Sequence, residues 1–423
     1  MDDESRAPRA PRRPRRWIGF TGAFGLAGLA VFLSWRATSL RGLPDVGDPF
    51  DVAAFADIGV PDDRNAFILY RQAVARMAPM PPGATADWAT ATDADRRWLA
   101  ENRAALDLWK RGTGRPDALN IPPRDWKIDT IPRTAQELRD LGRLGMMEGA
   151  RLEAEGDVAG AYSWYLAVLR SSRHVGRRGG LVERLVGIAL HQFASKGIGR
   201  WAARPEVDAA MLRRALDDAV AVDAMTPPTS DMIKCEYFFF NNSVDDPRLP
   251  DLVGPAPPAS GRPWDNAFWR GYEAFRRDIR REPERSRRVF RLVLANWLAY
   301  CDRPPGLRPP MAVPGPTFVG DNRARAFLPE LYAIDATATD SARALSPEDL
   351  ARWYATATDA PICLPSFGAA SKALARERVA RAHLLVTLAN ELHKRDHGEY
   401  PETVDELVGA YLESVPDGFV RPD

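Results

Sequence analysis

The sequence predicts a mainly α-helical protein: a single N-terminal transmembrane helix followed by an irregular α-helical body. Two observations predict it. Residues Trp17 to Trp35 run for nineteen positions without a charge, and at 1.5 Å of rise each they span about 28 Å, a bilayer's hydrocarbon core. Downstream, apolar residues recur at helical spacing through most of 64–244, with Gly and Pro as punctuation.

Six arginines (Arg6, Arg9, Arg12, Arg13, Arg15 and Arg16) precede the apolar run, against only Arg36 and Arg41 between it and Asp45. That bias predicts a cytoplasmic 1–16 and a body outside the cytoplasm. The expectation is a single-pass signal anchor over 17–35 in a bacterial inner membrane, with the bilayer as a partner and the body periplasmic. A cleaved signal peptide fits less well, because the run exceeds the ordinary h-region. Gly19, Gly22, Gly25 and Gly28 recur every third residue and form a stripe suited to self-association in a membrane.

Composition narrows the function classes. The 423 residues carry a net charge of +1. Without residues 1–16, which hold six arginines and three acids, the body is at −2, so it lacks the basic surplus of a nucleic-acid binder. Cys235, Cys301 and Cys363 are far apart with no C-x-x-C pattern, which argues against a redox dithiol or a cysteine-rich metal site.

In chain order, 36–63 reads as a linker with little regular structure. Phe67, Tyr70, Val74 and Met77 mark one helix face, with Asp62 or Asp63 as its cap. A helix beginning after Thr92 carries Trp98, Leu99, Leu106 and Trp109, and 113–133 is a proline-broken connector. From Thr134 the stripe Leu138, Leu141, Leu144 and Met147 leads to a break at Gly156-Asp157. Two helices follow, around Trp164–Leu169 and Leu181–Phe193, and then a third from Pro205 to Ala221 with Pro205 in its first turn. After Pro227-Pro228, Ile233–Phe240 is assigned to helix. A Pro/Gly loop over 245–263 separates the 64–244 helical domain from a second helical region, 264–423. That region holds helices near 264–279 and 283–298, a proline-rich 303–319, a short helix near 347–355, and a long one from Ser371 to His393.

Two stretches carry resemblances. Glu155-Gly156-Asp157-Val158-Ala159-Gly160-Ala161 with Tyr165, Ala167 and Leu169 resembles the turn and second helix of a tetratricopeptide hairpin (TPR-like), which implies a stacked helical array. The tail Gly398-Glu399-Tyr400-Pro401, with Leu407, Tyr411-Leu412 and Val415-Pro416-Asp417, resembles the C-terminal element of type II pseudopilins. It departs from that pattern at Asp417-Gly418-Phe419, and the apolar run has no pseudopilin processing site. With Asn65, Ala66 and Tyr70, the whole chain resembles uncharacterised signal-anchored helical proteins of planctomycete-type bacteria, a group that implies no activity.

No catalytic, cofactor-binding or metal-binding residue is assigned. His393 and His397 stand four apart, but Asp396-His397-Gly398 reads as a solvated helix end. Ser366 lacks a G-x-S-x-G context. Cys235, Cys301 or Cys363 with His191 or His383 form no recognisable nucleophile pattern. Arg177–Gly180 lacks the Lys-Ser/Thr of a phosphate loop. The expected function is therefore a non-enzymatic, membrane-tethered protein that binds or organises other cell-envelope proteins. The alternative is a glycan-directed envelope hydrolase with a site formed by loops 245–263 and 303–319. In that alternative Asp129, Asp245 and Asp246 are the acids, and Trp126, Trp264 and Trp269 the sugar platforms.

Overall fold

The computed structural model describes residues 17–38, 40, 45, 47–84, 87–130, 133–246, 271–303 except 273 and 276, and 367–420. The described chain is mainly α-helical, with only two isolated bridges, Asn65 with Asp117 and Val408 with Leu412.

The anchor expectation is corrected. Helix α1 spans Trp17–Thr38, but among the described residues no helix is long and apolar enough to cross a membrane. The side chains of α1 are described only from Gly28 onward. From there to Trp35 is about 12 Å of helix, well short of a bilayer core. One face of this part touches the chain itself, Phe32 stacking on Phe275 at 6.0 Å and Arg36 donating to the Asp278 backbone carbonyl at 2.6 Å and pairing with its carboxylate, while Leu29, Val31, Leu33 and Trp35 stay exposed. An uncharged run records composition and does not say what covers it. The inner-membrane topology, the bilayer as a partner and the kinship with signal-anchored proteins fall together, and so does the tethered envelope role. Of the glycine stripe, a Cβ at Gly28 would meet nothing within 4 Å, while the surroundings of Gly19, Gly22 and Gly25 and the basic segment 1–16 lie outside the described residues.

The supposed linker is docked. Short helix α2 (Val52–Ala56), capped by Asp51, buries Phe55. Phe50 packs edge-on to Tyr237 at 5.3 Å, and the Tyr237 hydroxyl donates to Asp48 at 2.6 Å. Helix α3 (Ala66–Val74) starts at Asn65 rather than at Asp62 or Asp63. The Asn65 side chain accepts from Phe67 N–H at 3.1 Å and Leu119 N–H at 2.9 Å, and donates to Leu119 carbonyl at 3.0 Å. One amide thus caps the helix and latches the 113–133 connector to it.

The helix after Thr92 is two helices, α4 (Asp93–Glu101) and α5 (Arg103–Thr113), with a Thr92/Asp95 capping box. They divide at Asn102, whose side-chain oxygen accepts Ala78 N–H at 2.9 Å. Then α6 (Arg133–Ala154), α7 (Val158–Gly176) and α8 (Leu181–Ala202) pack in succession. Gly156, at φ +87°, makes the first turn, and Asp157 caps α7 by accepting Gly160 N–H at 2.8 Å. α7 and α8 approach so closely that a Cβ on Gly187 would stand 2.5 Å from the Ser172 carbonyl oxygen.

Helix α9 (Ala209–Ala224) begins after an Asp208 cap, which leaves Pro205 outside it. Residues 233–240 are helical, within α10 (Thr229–Ser243), which packs on α11 (Glu282–Tyr300). The long α12 (Phe367–His397) lies against α8 and α9. The tail folds back through a 3₁₀ turn, Val404–Leu407, and buries Leu407 and Leu412. One apolar core joins α3–α9, α12 and the tail around Trp109, Tyr165 and Trp201. A second joins α2, α10 and α11, with Phe240 on Phe290 at 4.1 Å. Residues 304–319 of the proline-rich stretch and the short helix near 347–355 lie outside the described residues.

Candidate functional site

Charged residues inside apolar helix faces build the site. Arg173 on α7 and Arg184 on α8 both interrupt buried stripes, and both reach Glu377 on α12. Arg184 Nη2 donates to Glu377 Oε2 at 2.7 Å, and Arg173 Nη1 donates to Glu377 Oε1. All three side chains are at most 4% exposed. Burial lowers the pKa of both guanidiniums, that of Arg173 to about 10, which leaves Arg173 charged at neutral pH. Among the described residues the Nε atoms of both and Nη1 of Arg184 have no hydrogen-bond partner. One turn along α12, Arg381 grips Asp223 of α9 through Nε and Nη2.

This ion cluster floors a cleft of about 1070 Å³, bounded by α9, the 226–229 turn, the end of α11, α12 and the tail. Leu216, Val220, Leu374, Leu385 and Leu412 supply apolar wall. Val220 is 48% exposed. On the floor, Glu377 and Asp223 are held by arginines. Asp302 accepts Ser230 N–H at 3.0 Å. Neither floor carboxylate is therefore free to act as a base. A ligand would meet apolar walls, fixed charges and the exposed rim acids.

Other buried polar groups lie away from the cleft. His174 Nδ1 pairs with the Tyr70 hydroxyl at 2.8 Å, and burial, helped by Arg177 and Arg170, pushes its pKa down to about 4. At the start of α8, Glu236 accepts Leu181 N–H at 2.6 Å, while among the described residues the carboxyl oxygens of buried Glu183 have no hydrogen bond of good geometry, only the nearby Gly180 and Glu183 backbone amides. Burial raises Glu183 to about 8 and Glu236 to about 7. Buried Cys235 beside them has its pKa raised by the same desolvation, which makes it a poor nucleophile.

The residues weighed in sequence are scattered. His191 is buried, its pKa depressed by desolvation and by Arg173, Arg381 and Arg184, and its Nδ1 is 3.3 Å from Ser195 Oγ within one helix. Neither Cys235 nor Cys301 is disulfide-bonded. His383 packs on Phe419 at 5.2 Å. α12 does continue through His397, bringing the His393 and His397 rings to 4.4 Å, but His393 Nδ1 is occupied with the Glu399 carbonyl at 3.0 Å. Among the described residues no His/Cys/Asp/Glu group is arranged to hold a metal. Trp126 is 3% exposed, so it offers no stacking face, and Asp245 pairs with Arg287. The hydrolase alternative loses that platform. Ser366, Cys363, Trp264, Trp269, 304–319 and 247–263 lie outside the described residues.

The cleft was missed in sequence, although Arg173, Arg184 and Glu377 were visible as charges within apolar stripes. No protein-family model, curated protein or solved structure matches the chain, so neither the tetratricopeptide nor the pseudopilin resemblance gains a family.

Proposed function

We propose that the protein recognises a ligand in the cleft between α9, α12 and the tail, and that its role is binding rather than chemistry. The observation that carries this reading is the cleft itself: about 1070 Å³ with apolar walls over a floor whose carboxylates are already held by arginines. That volume lies just above the roughly 300–1,000 Å³ of small-molecule sites. Apolar wall supplies affinity through surface removed from water, and fixed charges supply orientation.

The test is a thermal-shift screen of chemically diverse ligands on the full-length chain, repeated on Val220→Trp, which fills the cleft from an exposed position. Ligands that bind the native state raise its melting temperature by mass action. Shifts in the wild type that vanish in Val220→Trp support the reading. Equal shifts in both proteins, or none in either, overturn it.

A further inference from the structure

We infer that the cleft takes a cationic, partly apolar peptide segment from another polypeptide, an inference that rests on the cleft being the binding site. Among the described residues the lining carries six carboxylates (Asp217, Asp223, Asp302, Glu377, Glu413 and Asp417) against three guanidinium groups, a formal charge of −3. Counting Arg173, which backs Glu377 from behind the floor, the balance is still −2.

The distribution matters more than the sum. Asp223 and Glu377, on the floor, are matched by arginines, and Arg378 stands 3.8 Å from Asp417. Asp217, Asp302 and Glu413 form no ion pair among the described residues, and all three are exposed. They come from three different elements: α9, the end of α11 and the tail. Asp217 and Glu413, together with Asp302 beyond its one hydrogen bond from Ser230 N–H, therefore place exposed negative charge on three elements of the lining, with Leu216, Val220, Leu385 and Leu412 as its apolar part. An occupant that complements this surface buries aliphatic side chains and presents lysine or arginine outward to the rim. A cavity of about 1070 Å³ lined by residues of α9, α12 and the tail has room for several residues of a peptide.

The experiment is selection of random twelve-residue peptides (about 18 Å if helical) displayed on phage against the immobilised full-length chain. Enriched sequences are then synthesised and their affinities measured by fluorescence anisotropy. The proteins compared are wild type, Val220→Trp, and a rim variant carrying Asp217→Asn, Asp302→Asn and Glu413→Gln. The expected result is joint enrichment of Lys/Arg with Leu/Ile/Val/Phe. Binding should be lost in Val220→Trp and weakened at least tenfold in the rim variant, with affinity falling as salt rises. Enriched peptides that are acidic or uncharged, yet lost in Val220→Trp, would overturn the cationic partner and leave the cleft as a binding site. Peptides that bind Val220→Trp as well as wild type, or no enrichment over bare support, would overturn both.

Discussion

Arg184 and Glu377 are 193 residues apart in sequence, yet Arg184 Nη2 donates to Glu377 Oε2 at 2.7 Å with both side chains almost wholly withdrawn from water. Arg173 completes the cluster from the neighbouring helix. A buried triad of this kind is held together by mutual compensation, because any one of its charges alone would be costly.

Glu377→Gln leaves two buried guanidiniums facing each other without a counter-charge. Urea denaturation should show a loss of about 3–5 kcal/mol. The concerted replacement Glu377→Met, Arg173→Met and Arg184→Leu should cost much less. A triple variant as unstable as Glu377→Gln would show that packing, not charge, sets the penalty.

The α7–α8 contact predicts opposite outcomes for two glycines of one helix. At Gly187 an alanine Cβ would meet backbone, the Ser172 carbonyl oxygen at 2.5 Å, which cannot rotate away. Gly187→Ala should destabilise by about 1–3 kcal/mol. At Gly199 the nearest atom is Thr387 Cγ2 at 4.0 Å, so Gly199→Ala should stabilise by up to about 1 kcal/mol. Thermal melts of the two variants decide it.

Glu183 and Glu236 have pKa values raised by burial to about 8 and 7 in the fold, against 4.5 unfolded. The native state therefore holds protons that the unfolded chain has released, and stability falls as pH rises from about 4.5 to 8. His174, lowered to about 4, and His191, lowered well below 6.5, act in the opposite sense, adding stability as pH rises towards 6.5. The opposing slopes offset each other below pH 6.5. Above about pH 7 the unfolded imidazoles are mostly deprotonated and the histidine slope fades, so between 7 and 8 the glutamates dominate, with Glu183 contributing up to about 1.4 kcal/mol per pH unit. Melting temperature should decline over that window, and Glu183→Gln should flatten the decline. An unchanged slope in the variant would refute the assignment.

Asn65→Ala removes a helix cap and strands the Leu119 N–H in a buried place. The expected loss is about 2 kcal/mol or more. Hydrogen exchange should show faster exchange at Leu119 as well as in the first turn of α3, whereas a cap alone would affect only the latter.

Local features were readable because they depend on near neighbours. Thr92, the Gly156-Asp157 break and the stripe Leu138, Leu141, Leu144 and Met147 all occupy the roles their spacing implied, and those four side chains are buried. Errors arose where one residue serves two elements. Asn65 outcompeted Asp62 and Asp63 as a cap because it also binds Leu119. The 36–63 stretch carried no helical periodicity, yet Phe50 and Phe55 hold it on α10 through ring contacts that sequence spacing does not encode. The site was unreadable for the same reason at greater range: its floor joins α8, α9 and α12, backed by Arg173 of α7, and no local pattern announces that charges at 173, 184 and 377 will meet.

The separation of that ion cluster also sets an order of events during translation. At roughly 5–20 residues per second, the ribosome takes on the order of 10–40 s to travel from Arg184 to Glu377. Throughout that interval the nascent α7 and α8 carry two arginines whose shared counter-charge has not yet been made. Complete closure of the α7–α8 face must wait for α12, so the last long helix to be synthesised acts as the locking step of folding. Chains interrupted before it emerge with that face open, and quality-control proteases would meet them in that state.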